Sequence, residues 1–161
     1  MFETILVPVD GSEHSLQAIE YAADMSVKYK ASLTLLHVMT RIGSDRVPEE
    51  LREIAKIEHI EATEADVLQS VATGILRKAQ DHAELLGASD IQTVIENGNP
   101  AKMIVAYCDD HDVDLIVMGR RGLGDLVSLF VGSVSHKVAH LAKCACMTVS
   151  VPSQRLWESL S

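Results

Sequence analysis

The chain has 161 residues, 47% of them hydrophobic and 23% charged, the size and make-up of one folded domain rather than a disordered chain. Its formal net charge of −9 opposes broad contact with nucleic-acid phosphates, though backbone N–H groups can still hold a small anion locally. No apolar run approaches the ~20 residues that span a bilayer, so no membrane insertion is expected. The three cysteines (Cys108, Cys144, Cys146) make no disulfide framework, and the expected location is the cytoplasm.

The first predicted element is a strand, "ILVPV" (Ile5–Val9), a short apolar run suited to burial on both faces. It is not read as a signal peptide, because no basic segment and long apolar stretch begin the chain. Pro8 sits near its end, where a lost ladder donor is tolerated best. "DGS" follows, with Ser12 as N-cap of a helix carrying Leu16, Ile19, Ala23 and Ser26 at helical spacing. The second strand is Ser32–Val38, with His37 read as a satisfied core or rim histidine. An insert at about 39–60 interrupts the pattern, and Pro48-Glu49-Glu50 within it is a favourable helix start. A longer helix then places Leu68, Val71, Ile75, Ala79 and Ala83 on one face. The third strand is Ile91–Glu96, and a helix begins after Pro100. The fourth strand is Asp114–Met118 and the fifth Cys146–Val151. Strand–helix alternation of this kind predicts one open parallel sheet with helices on both faces, a Rossmann-like α/β fold. Residues 1–152 are read as a single domain and 153–161 as a C-terminal tail.

The chemistry-bearing stretch is "GRRGLGDLVSLFVGSVSH" (Gly119–His136), leaving the fourth strand. It is neither dinucleotide fingerprint nor Walker loop: Val127 stands where the third fingerprint glycine belongs, and Asp125 follows Gly124 where a Walker loop has lysine. What remains is G-x2-G-x9-G-S, formed by Gly119, Gly122, Gly132 and Ser133. Gly119 permits a sharp exit from the strand and close approach of a flat base or sugar. Gly122 lets backbone approach a phosphate. Gly132-Ser133 opens a helix whose first N–H groups lack internal partners and, with the helix dipole, attract anions. Ser133 and Ser135 add hydroxyls, and Arg120 and Arg121 offer guanidinium groups beside the same loop. In an open parallel sheet, ligands bind beyond the carboxyl ends of the strands, where strand order reverses. If the first and fourth strands are neighbours there, "DGS" and the glycine loop face one crevice.

With "ILVPVDGS" and "DLIVMG" before it, this loop closely resembles the ATP-binding branch of the universal stress protein family, from Met1 to about Pro152 apart from the insert. The resemblance implies a five-stranded parallel sheet of order 3-2-1-4-5. It implies that Pro8, Val9 and Asp10 line the adenosine side, with the Asp10 carboxylate on ribose hydroxyls. Val38 would meet the adenine edge through its backbone, and Met118 and Gly119 would border base and ribose. Gly122, Gly132, Ser133, Val134 and Ser135 would wrap the phosphates; Arg120-Arg121 departs from the small residue and histidine many relatives carry there, and Arg121 is expected beside the phosphates on its charge. Mg2+ or Mn2+ would bridge those phosphates. A homodimer through the last strand (about Met147–Val151) is also implied, along with an unidentified protein partner. Met147 departs from the family's usual proline after Cys146. Asp125 stands where basic residues are common in the family.

The resulting expectation is an ATP-binding regulator of stress response, with at most slow ATP hydrolysis or autophosphorylation. No obvious general base accompanies the loop, and rapid hydrolysis requires a positioned one. The alternative from another class is a nucleotide-free dimeric interaction module of the same fold. An enzyme acting on an adenylate-containing substrate is a third, weaker reading.

Overall fold

Apolar side chains alternate between the two faces of one sheet, and a helix pair covers each face. The computed structural model describes residues 1–40, 64–120 and 133–151. Among them the order is β1 (Thr4–Pro8), α1 (Glu13–Tyr29), β2 (Ser32–Met39), α2 (Glu64–Leu85), β3 (Ile91–Asn97), α3 (Pro100–Asp110), β4 (Leu115–Gly119), α4 (Ser133–Leu141) and β5 (Ala145–Val149). The strands form one parallel sheet in the order β3-β2-β1-β4-β5, as expected. β1 is the central strand, paired with β2 from Thr4↔Ser32 to Pro8↔Leu36 and with β4 at Ile5↔Leu115 and Leu6↔Ile116.

On one face Ile5, Val7 and Val9 join Leu33, Leu35 and Val117 against Ile19 and Ala22 of α1 and Leu76 and Ala79 of α2. On the other, Leu6, Leu36, Ile116 and Met118 pack against Ile104 and Tyr107 of α3 and Val138 of α4. Each fully buried aliphatic side chain contributes roughly 1.5–3 kcal/mol. Two buried faces explain why the strands read as unbroken apolar runs. Among the described residues no helix is long and apolar enough to cross a membrane.

Ser12 caps α1 as expected, its hydroxyl accepting from the Ser15 N–H at 3.2 Å. Asn99 caps α3 by accepting from the Lys102 N–H at 3.2 Å, and Pro100 begins the helix. The strand ends differ from expectation by one or two residues. β1 starts at Thr4 and ends at Pro8, and β4 runs to Gly119, which pairs with Val149. β2 and β3 each gain a residue because Met39 pairs with Asn97. β5 starts at Ala145 and stops at Val149, because the Val151 N–H turns to donate to His14 Nδ1 at 3.3 Å. On α2, Ala79 and Ala83 are buried as expected, whereas Val71 is exposed and Ala72 and Leu76 take the inward positions. The buried stripe therefore follows a 72–76–79–83 line. The helix start at Pro48 and the tail 153–161 lie outside the described residues.

One carboxylate ties the amino ends of the central strands. Asp114, just before β4, accepts from the N–H groups of Glu3 and Thr4 at 2.8 and 2.9 Å, both on Oδ2. These two donors hold its carboxyl below the ordinary value of 3.8. A depressed carboxyl stabilises the fold above its unfolded-state value, and the contribution is lost as pH falls through the folded-state value. Asp114→Ala should therefore lower the urea midpoint at neutral pH. Its gap from the wild type should close as pH falls below about 4, where an unfolded-state Asp is protonated. A gap that stays constant down to pH ~2, past the titration range of an ordinary Asp, would exclude this role.

Candidate functional site

Val9 is one residue past β1, yet its N–H still donates to the Leu36 carbonyl of β2 at 2.8 Å. N–H and C=O groups of successive strand residues point to opposite sides. Pro8 therefore faces β4, and Pro8 has no N–H to give. The β1–β4 ladder extends only over Ile5 and Leu6, whereas β4 remains paired with β5 as far as Gly119. The two neighbours part company at their carboxyl ends. This is the position where chain order in the sheet reverses, the place where open parallel sheets form a ligand crevice between two strand exits.

The β1 exit is held in a defined shape. The Val9 carbonyl accepts from His37 Nδ1 at 2.7 Å, which fixes the proton on that nitrogen and gives the half-buried ring the partner expected of it. Asp10 Oδ1 accepts from the Ser12 N–H at 2.9 Å. That bond closes an Asx turn. Gly11 between them has φ +84°, a left-handed conformation that suits glycine. The Ser15 hydroxyl donates to the Ser12 carbonyl at 2.8 Å and locks the first turn of α1. Asp10 is thus a half-buried carboxylate with an orientation set by its own backbone.

The β4 exit meets the start of α1. A Cβ built on Gly119 would lie 2.7–2.8 Å from the backbone C and O and the Cβ of His14. The expected reason for Gly119 was close approach of a base or sugar. The described contact is a helix backbone, which requires glycine by itself. Next to it, the Arg120 N–H donates to the Val149 carbonyl at 2.6 Å. The buried Ser135 hydroxyl donates to the Arg120 carbonyl at 3.2 Å, tying the first turn of α4 to the end of β4. These bonds bring the N-terminus of α4 to the same end of the sheet as Pro8–Ser12.

The expected site residues divide accordingly. Pro8, Val9, Asp10, Met118, Gly119, Val134 and Ser135 gather around the crevice end, and Val38 lies near the carboxyl end of β2, paired with Glu96. The Met118 side chain is buried among the α3 and α4 contacts, as Val134 partly is, so these two offer backbone rather than side chain to the crevice. Ser133 opens α4. Arg121, Gly122 and Gly132 lie outside the described residues. His14 was not singled out from the sequence. No spacing signal marks it, because its partners Gly119 and Val151 are remote in the chain. Among the described residues no group of three or more His, Cys, Asp or Glu is placed to hold a metal ion.

Gly119→Ala forces a new methyl against backbone that has no side-chain freedom to yield. The expected cost is about 1–3 kcal/mol, as for other overpacked sites, read as a lower denaturant midpoint. An unchanged midpoint would show that the His14 contact does not constrain this position.

Comparison with known proteins agrees with this architecture. The universal stress protein family model matches residues 1–150. The universal stress protein YxiE of Bacillus subtilis (strain 168) is 33% identical over 152 residues, covering 92% of this chain and 99% of the relative. The structure of universal stress protein UspA from Lactobacillus plantarum superposes with a TM-score of 0.73 at 26% identity, covering 92% of this chain and 97% of that one. A universal stress protein solved in complex with cAMP superposes with a TM-score of 0.67 at 27% identity, with the same coverages of 92% and 97%.

Proposed function

This chain belongs to the universal stress protein family, and we propose that it binds ATP in the crevice between the carboxyl ends of β1 and β4. Its role on this reading is nucleotide-dependent regulation in stress response. The observation that carries the proposal is the parting of β1 from β4 at Pro8, with the Asp10 turn on one side and the start of α4 on the other. The relative solved with cAMP supports an adenine nucleotide as the ligand class.

In this reading Pro8, Val9 and Asp10 line the adenosine side. The Asp10 carboxylate, already oriented by the Ser12 N–H, accepts from ribose hydroxyls. Val38 meets the adenine edge through its backbone, and Met118 and Gly119 border base and ribose. Backbone N–H groups of Gly122, Gly132, Ser133, Val134 and Ser135 hold the phosphates, because the first turn of a helix has donors without internal partners. Arg121 adds positive charge, and Mg2+ or Mn2+ bridges the phosphates. Residues 1–152 act as one domain with 153–161 as its tail. β5 is an edge strand, and its outer edge pairs with a second copy to make a homodimer. A protein partner then reads the loaded state.

Two contacts favour the second reading, a nucleotide-free dimeric interaction module. Gly119 is required by His14 without any ligand, and the Ser135 hydroxyl already has a protein acceptor. Calorimetric titration with Mg-ATP separates the two readings. The wild type should bind, Gly132→Val should weaken binding at least tenfold (about 1.4 kcal/mol) by placing bulk beside the phosphates, and Asp10→Ala should weaken it by a similar factor. Full affinity in Gly132→Val would remove the α4 start from the site. A wild type that takes up no ATP leaves the interaction module.

A further inference from the structure

Three thiols gather at the end of the sheet opposite the crevice. Cys108 lies in the last turn of α3, Cys144 immediately precedes β5, and Cys146 is on β5. Cys108 is buried, and Cys144 and Cys146 are half-buried against the same apolar cluster. Cys108 and Cys144 both line one cavity at this end, and all three cysteines belong to or pack against that one cluster. The Cys146 thiol also points to the Cys144 carbonyl at 3.7 Å. A cavity of about 300 Å³ opens beside this group, lined by Cys108, Asp109, Asp112, Val113, Lys143 and Cys144. Lys143 and Asp109 form an ion pair at 2.9 Å within that lining.

We propose that Cys108 and Cys144 form a reversible intramolecular disulfide by exchange with a low-molecular-weight disulfide that enters this cavity. The pairing follows from the cavity: Cys108 and Cys144 come from different elements and both line it, whereas Cys146 does not. Cys144 is the less buried of the two cavity thiols and reacts first. Its thiolate attacks one sulfur of the incoming disulfide and expels the other half as a thiolate, leaving a mixed disulfide. The Cys108 thiolate then attacks the Cys144 sulfur and expels the second half. The protein loses two thiol protons and two electrons, and the small disulfide becomes two small thiols.

Burial and the neighbouring thiols push Cys108 well above the ordinary thiol range, and burial pushes Cys146 up to about 11. A raised thiol slows attack at neutral pH, because only the thiolate is nucleophilic. It also leaves the reduced form without the thiolate stabilisation that makes some protein disulfides strong oxidants. The bond should be slow to form. It closes a ring from 108 to 144 that contains β4, the glycine-rich segment and α4, while the thiols themselves stand apart from the crevice. The proposal does not depend on nucleotide binding.

The test uses the full chain in a buffer of glutathione disulfide and glutathione at several pH values, followed by intact-mass analysis and non-reduced peptide mapping. The expected result is a product with an intramolecular bond, lacking two thiols, with Cys108 joined to Cys144. Its formation rate should rise close to tenfold per pH unit between pH 7 and 9, where the thiolate fraction of a raised thiol grows tenfold per unit. Cys108→Ala should stop at a single glutathione adduct on Cys144. A bond mapped to Cys144–Cys146, a bond between two chains, or a wild-type product carrying only glutathione adducts would each overturn the proposal. Mapping on the wild type keeps the test decisive even if Cys108→Ala folds poorly.

Discussion

Pro8 presents no N–H toward β4, and the arrangement at the carboxyl end of the sheet depends on that lost donor. β1 is buried on both faces and paired on both sides over Ile5 and Leu6. Beyond that point it stays with β2 through the Val9–Leu36 bond and leaves β4 to its other neighbour. A central strand that separates from one partner creates space where strand order reverses, which is where ligands bind in this class of sheet. The Asx turn at Asp10, the Ser12 cap and the His37–Val9 bond fix one wall. Packing of Gly119 on His14 and the Ser135–Arg120 bond fix the other.

The architecture was legible because two-sided burial writes itself into sequence as unbroken apolar runs separated by turn and cap residues. Ser12 marks a helix start through a bond three residues on, and Pro100 through its fixed φ at the first helical position, and such local chemistry can be read in one dimension. Strand ends were less legible. Whether Met39 or Gly119 still counts as strand is decided by Asn97 and Val149, which lie on other strands. The inward line of α2 was misplaced at Val71 because small residues such as Ala72 give little amphipathic signal, although close helix–sheet packing favours them.

The turn after β1 and the start of α4 were legible, the reasons for individual residues there less so, and residues 121–132 of the glycine-rich stretch lie outside the described residues. The Asp10 turn and the helix start at Ser133 stand where the glycine spacing and the strand ends indicated. Gly119 was read as room for a ligand, whereas the structure gives it a backbone to accommodate. Ser135 was read as a phosphate donor, and its hydroxyl is occupied in joining α4 to β4. Both residues therefore have packing and hydrogen-bonding partners within the protein that do not depend on any ligand.

The central claim is that this crevice holds ATP, and the most direct test is to look for ATP in the protein as purified. Chains prepared without added nucleotide would be denatured and the released small molecules separated by chromatography with mass detection. The account predicts ATP close to stoichiometric with the chain. An empty protein that also fails to retain added Mg-ATP would contradict it, and the crevice would then be a consequence of strand order with no nucleotide to hold.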